Sequence, residues 1–170
     1  LQVGLCAIDP KNGEIRAYVG SSNFNYFKLD YVRESTKRQV GSTIKPLLYS
    51  LAIENGETPC STIPYSKPLI PGFESWDPKG TKYFSEDALV MLKDGLQVSD
   101  NRIAAQLIKK YGTGALIEKA KQLDIKAEFD NGPSIALGTS DISVTEMIGA
   151  YTPFMNHGIM SKPYYITRIE

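Results

Sequence analysis

Pro46 constrains what this chain can fold into more than any other single residue. It stands in "GSTIKPLLYSLAIENG", where Ile44, Leu47, Leu48, Leu51 and Ala52 recur at helical spacing. Inside a helix a proline removes a backbone donor and clashes with the preceding turn; in the first turn the missing N–H has no partner to lose. A helix here must therefore start close to Ser42, and Asn55-Gly56 is its natural stop. Gly41 permits a tight entry. The Ser42 hydroxyl then sits at a helix N-terminus, where N–H groups and the helix dipole favour developing negative charge.

Around that fixed point the pattern is α+β. "VGLCAID-PKNG-EIRAYVG" reads as two short strands joined by a turn at Pro10 to Gly13. Residues 21–38 are polar and aromatic, expected to be loop with some helix. Residues 57–81 are rich in Pro, Gly and Ser and too long for a simple connector. "SEDALVMLKDGLQ" reads as a helix capped by Ser85, and "NRIAAQLIKKYG" as a second helix after Asp100. "GALIEKAKQLDI" is a further amphipathic segment. "SVTEMIGAYTPFMNHG" opens on Ser143 and Glu146, a capping box, and closes at Gly158. A returning strand is expected in "PYYITRIE", giving an N-terminal hairpin of a sheet plus a helical lobe.

With 170 residues the chain can form one ordinary domain with a real core. Its 19 Lys and Arg balance 19 Asp and Glu, which leaves no electrostatic case for nucleic acid or an anionic membrane surface. No apolar run is long enough to span a bilayer, and nothing resembles a signal peptide. Both ends read as cuts through a sheet, so a fragment is expected, with targeting and anchoring segments outside it. Cys6 and Cys60 have no framework that argues for a disulfide. The single His157, in the turn-like "MNHG", is expected to be structural, and metal chemistry has no constellation to rest on.

A serine hydroxyl becomes a nucleophile only when a base takes its proton. Lys45, three residues after Ser42, lies on the same helix face and can serve if burial lowers its pKa. The competing role for Ser42 is a plain helix cap, with Lys45 solvated. "VSDN", residues 98–101, is the second element: Ser99 can relay a proton to a leaving amine, and Asn101 can hold both lysine and substrate. Here the competing role is a loop in which Ser99 ends one helix and Asp100 caps the next.

These segments together resemble the transpeptidase domain of class A penicillin-binding proteins. "AIDPKNGEIRAYVG" is similar to that family's opening hairpin, "RQVGSTIKPLLYSLAIENG" to its active-serine segment and "ALVMLKDGLQVSDN" to the stretch ending in its second motif. "IALGTSDISVTEMIGAYTPFMNHGI" is similar to a characteristic later segment, and the resemblance runs from Val3 to Ile169. It implies Ser42 as acylated nucleophile, Lys45 as proton acceptor, Ser99 as relay and Asn101 as contact to lysine and substrate. The implied reaction cleaves D-Ala–D-Ala of a peptidoglycan stem peptide and passes the acyl group to a second stem peptide, with β-lactams acylating the same serine. No cofactor is implied. Residues 1–170 would be the N-terminal portion of a single transpeptidase domain in a longer, extracytoplasmic protein. A membrane helix and a glycosyltransferase domain are expected outside this chain.

Two departures stand out. Val40 replaces a frequent proline, and the family's third motif, K-[ST]-G, is absent; "KKYGTG" carries Tyr111 where Ser or Thr is needed. That motif would supply carboxylate contacts and one oxyanion donor, so the chain alone is expected to be catalytically crippled. Trp76 is the one aromatic candidate for substrate contact, against a competing role as loop anchor. A class A β-lactamase shares the two motifs, but Glu118, Glu128 and Glu146 all lack its E-x-x-L-N context. A non-catalytic β-lactam sensor or peptidoglycan-binding module is the other alternative.

Overall fold

The computed structural model describes residues 2–23 and 25–169. In chain order the elements are β1 (Leu5–Ile8), β2 (Ile15–Val19), β3 (Lys37–Gln39), α1 (Lys45–Glu54), β4 (Thr62–Pro64), β5 (Leu89–Met91), α2 (Leu92–Gln97), α3 (Asn101–Tyr111), α4 (Thr113–Gln122), β6 (Asp141–Ser143) and α5 (Val144–Met155). Single 3-10 turns occupy Gly41–Ile44 and Pro133–Leu137. The fold is α+β with small sheets, and it divides into two compact bodies.

The first body comprises residues 1–38, 120–127 and 141–170. Its β1 and β2 form the expected antiparallel hairpin, pairing Leu5 with Val19 and Ala7 with Ala17, with an irregularity after Ala7. Asp9 closes the turn by accepting from the Lys11 N–H at 3.0 Å. No helix forms between residues 21 and 38 among those described; Asp30 instead turns the chain by accepting from the backbone of Val32 and Arg33. Among the described residues the expected strand in "PYYITRIE" is also not formed: it reduces to one bridge between Glu14 and Tyr164, and its last residue lies outside them. Pro163 brings no N–H to a ladder, and Tyr165 and Ile166 turn out to solvent.

Helix α5 begins with the capping box read from Ser143 and Glu146. The Ser143 hydroxyl accepts from the Glu146 N–H at 3.1 Å, and the Glu146 carboxylate accepts from the Ser143 N–H at 2.9 Å. Pro153 inside the helix deprives the Gly149 carbonyl of its usual donor, and the Thr152 hydroxyl supplies one at 2.7 Å. Glu146 is buried. Burial alone would raise its pKa, but hydrogen bonds from Ser143 and Lys126 and the Lys37 charge outweigh that and hold it below the usual carboxylate value. A carboxylate with a depressed folded pKa stabilises above its unfolded value, near 4.5, and loses that contribution as pH falls through the folded pKa. Denaturant unfolding should therefore show wild type more stable than Glu146→Gln at pH 6, with the gap closing as the pH is lowered to 3.

The second body comprises residues 39–119 and 128–140. Pro46 lies in the first turn of α1, and the helix stops at Asn55, followed by Gly56 at φ +92°. Leu47, Leu48 and Ala52 have no exposed surface and pack against α3, whose Ile103, Ala104 and Leu107 are equally closed off. The turn at Pro133–Leu137 seals the same core through Ile135 and Ala136. Residues 85–97 correct the sequence reading of one long helix. Asp87 adopts φ +61°, residues 89–91 extend as β5 against β4, and only Leu92–Gln97 is helical. The cause is alternation: along β5 only Val90 is buried, which suits a strand and not a helix face. No helix among the described residues is long and apolar enough to cross a membrane.

Candidate active site

The start of α1 is set by backbone contacts with a later segment of the same body. Gly41 adopts φ +54° and its N–H donates to the Gly138 carbonyl at 3.0 Å; the Val40 N–H donates to the Ser140 carbonyl at 3.3 Å. Gly138 approaches so closely that a Cβ there would lie 1.9 Å from the Gly41 oxygen. This contact aims the 3-10 turn bearing Ser42. Ser42 is exposed, its carbonyl accepts from the Lys45 N–H, and its side chain caps neither the turn nor α1. Its hydroxyl makes no hydrogen bond among the described residues.

Lys45 points inward from the first turn of α1 and has no exposed surface. Its ammonium donates to the Ser99 carbonyl at 2.5 Å, the Asn101 Oδ1 at 2.7 Å and the Ser99 Oγ at 3.1 Å. Three donors thus meet three acceptors, two from the turn between α2 and α3 and one from the first residue of α3. Ser99 holds that turn in the left-handed region, at φ +53°. Burial pushes the Lys45 pKa below the ordinary lysine value, against an opposing pull from the charge of Asp100. When the amine is neutral it keeps two N–H groups for the two shorter contacts. Its lone pair is then free for a hydroxyl proton, from Ser99 or from a nucleophile nearby.

The structure brings together Lys45, Ser99 and Asn101 of the four sequence-derived catalytic candidates, and places Ser42 on the adjoining turn. Trp76 is not drawn in. It is half-buried in the long loop, its backbone N–H donates to Phe73 at 2.9 Å, and no described hydrogen bond or ring contact joins it to that group. Cys6 and Cys60 are free thiols, and His157 occupies a turn at φ +51°. Among the described residues no group of His, Cys, Asp and Glu could hold a metal ion.

Two features of the site escape the motif reading. Gly138 belongs to "IALGTSD", a stretch quotable from the sequence but silent about its approach to Gly41. Asp100 is visible in the sequence as a cap, yet its carboxylate also accepts from the Thr81 N–H at 2.8 Å and the Tyr65 hydroxyl at 3.2 Å. Nothing local in the sequence announces those partners.

Residues 3–170 match the family described as the penicillin binding protein transpeptidase domain. Penicillin-binding protein 2D of Bacillus subtilis is 34% identical over 172 residues, an alignment covering 99% of this chain and 25% of that protein. Penicillin-binding protein 1A of Aquifex aeolicus is also 34% identical, covering 99% of this chain and 23% of that protein. The crystal structure of penicillin-binding protein 1A from Haemophilus influenzae is similar at a TM-score of 0.85 and 30% identity, covering 96% of this chain and 25% of that one. The PonA1 protein of Mycobacterium tuberculosis, solved in complex with penicillin V, shares the fold at a TM-score of 0.77 and 24% identity, covering 94% and 45% of the two chains. The chain spans about a quarter of the length of the curated relatives it matches.

Proposed function

Because the chain belongs to the penicillin binding protein transpeptidase family, we propose that it carries the acylating centre of a serine D-Ala–D-Ala transpeptidase. The observation that carries this is the buried Lys45, held by Ser99 and Asn101 one helical turn from an exposed serine. A lysine with its pKa lowered by burial is a base, and a hydroxyl at a helix start is its natural proton donor.

Ser42 Oγ attacks the carbonyl of the D-Ala–D-Ala bond, and its proton passes to the neutral Lys45 amine. Ser99 Oγ, 3.1 Å from Lys45 Nζ, relays a proton to the departing D-Ala nitrogen as the C–N bond breaks. Asn101 keeps Lys45 aligned through its Oδ1 and offers its amide N–H groups to the stem peptide. The resulting ester is resolved when the amine of a second stem peptide attacks it, giving a cross-link and returning the proton to Ser42. A β-lactam follows the first half of this path and stops at the ester.

The two bodies form the front portion of one transpeptidase domain in a longer protein that works outside the cytoplasmic membrane. This chain contains no K-[ST]-G motif, so the substrate carboxylate and one side of the oxyanion lack partners within it. Losing a single oxyanion donor elsewhere costs about a hundredfold or more in rate. Intact-mass measurement after penicillin treatment should therefore show a stable adduct on the full-length protein and little or none on residues 1–170. A well-folded full-length protein that takes up no penicillin would refute the proposal.

A further inference from the structure

A buried ammonium is costly unless a counter-charge lies close by. Lys45 has no exposed surface, yet its three hydrogen-bond partners are all neutral. Among the described residues of the second body one carboxylate is equally buried, that of Asp100, between Ser99 and Asn101. Its Oδ1 accepts from the Arg102 and Ile103 N–H groups at 2.7 and 2.9 Å, which is all a helix cap requires. Its Oδ2 takes two further donors that have nothing to do with capping α3: the Thr81 N–H and the Tyr65 hydroxyl. Both come from the long Pro/Gly segment. Gly80 makes that approach possible, since a Cβ there would lie 1.8 Å from the Tyr65 hydroxyl.

We propose that Asp100 is a positioning residue for the acyl-transfer site. Held on one oxygen by α3 and on the other by the 65–81 loop, it fixes the turn that presents Ser99 and Asn101 to Lys45. It also supplies the counter-charge for the Lys45 ammonium. The inference rests on the acyl-transfer reading above and extends it by coupling a loop with no catalytic side chain to the proton affinity of the base. The direction of the coupling is fixed by electrostatics: burial favours the neutral amine, and the Asp100 charge opposes it.

The other ionisable groups around Lys45 do not substitute. Tyr49, one turn along α1, keeps its proton because burial and the Asp100 charge both push its pKa up. Arg102 on α3 pairs with Glu86 at 2.6 Å and Asp77 at 3.6 Å, and its guanidinium lies over the Tyr65 ring. Lys93 is exposed and Asp94 half-buried on α2, the turn at Pro133–Leu137 carries no ionisable side chain, and Glu54 at the last residue of α1 pairs with Lys119.

The test is the pH dependence of penicillin acylation in the full-length protein. In wild type the rate should rise with pH as Lys45 loses its proton. Asp100→Asn keeps a capping oxygen but removes the charge, and should move that rise to lower pH. Tyr65→Phe keeps the charge and strips one donor from it, and should move the rise to higher pH. A structural role alone predicts equal slowing at every pH, and a folded Asp100→Asn protein behaving so overturns the proposal. Should Asp100→Asn fail to fold by circular dichroism, an unshifted profile in Tyr65→Phe overturns it instead. Ser42→Ala separates the two levels: an adduct that survives that change refutes the acyl-transfer reading itself. Loss of the adduct with unmoved profiles refutes only the role of Asp100.

Discussion

Ser42→Ala should abolish the penicillin adduct of the full-length protein while leaving its unfolding transition within about 0.5 kcal/mol of wild type. The first half follows from the proposed mechanism, in which Ser42 supplies the only oxygen that Lys45 activates for attack. In a hydroxyl–base system elsewhere, losing the nucleophile costs about a millionfold in turnover. The second half follows from geometry, since Ser42 is exposed and its side chain caps nothing. The neighbouring Thr43 is a poor replacement because its hydroxyl donates to the Val40 carbonyl at 2.6 Å. Intact-mass analysis of both proteins decides the matter. Undiminished labelling of the alanine variant would show that the acylated residue lies elsewhere.

The second large effect is expected at Gly138, a residue with no chemistry of its own. It sits at φ +78°, and an added methyl would lie 1.9 Å from the Gly41 oxygen and 2.5 Å from the Gly41 nitrogen. The left-handed conformation alone costs a non-glycine residue about 1–2 kcal/mol, and the overlap with rigid backbone adds to it. Gly138→Ala should therefore lose about 3 kcal/mol or more in denaturant unfolding. If the backbone yields instead, the turn bearing Ser42 moves, and a displacement near 1 Å costs about a hundredfold in acylation. Gly56→Ala is the control: its φ of +92° is comparable, but nothing lies within 4 Å of the added carbon. Equal losses at the two positions, with acylation intact in both, would show that the Gly41–Gly138 contact does not set the site.

Legibility in the sequence followed the range of the interaction. Helix α1 could be bounded from Pro46 and Asn55-Gly56 because those residues act through their own backbone dihedrals. The cap at Asp100 and the box at Ser143 and Glu146 were readable for the same reason: donor and acceptor lie within one turn. The segment from Ser85 to Gln97 misled because Leu89, Val90 and Met91 carry apolar side chains compatible with either period. Pairing with Thr62–Pro64, which decides the matter, lies outside any local window. The returning strand failed similarly, since β-rich composition in "PYYITRIE" cannot reveal whether a neighbouring strand is present to pair with it. At the site, residue types and spacing brought Lys45, Ser99 and Asn101 to notice. The second pair of donors on Asp100 and the contact of Gly41 with Gly138 come from segments far apart in the chain, and only folding joins them.

Ser99 stands in the backbone region that glycine occupies at little cost, and it stands there with a side chain. Selection for robustness alone would press this position toward glycine, relieving about 1–2 kcal/mol of conformational cost. The same step would delete the hydroxyl that faces Lys45. If Ser99 is the proton relay of the proposed mechanism, the turn between α2 and α3 is a point of evolutionary tension, where durability and reactivity pull one residue in opposite directions.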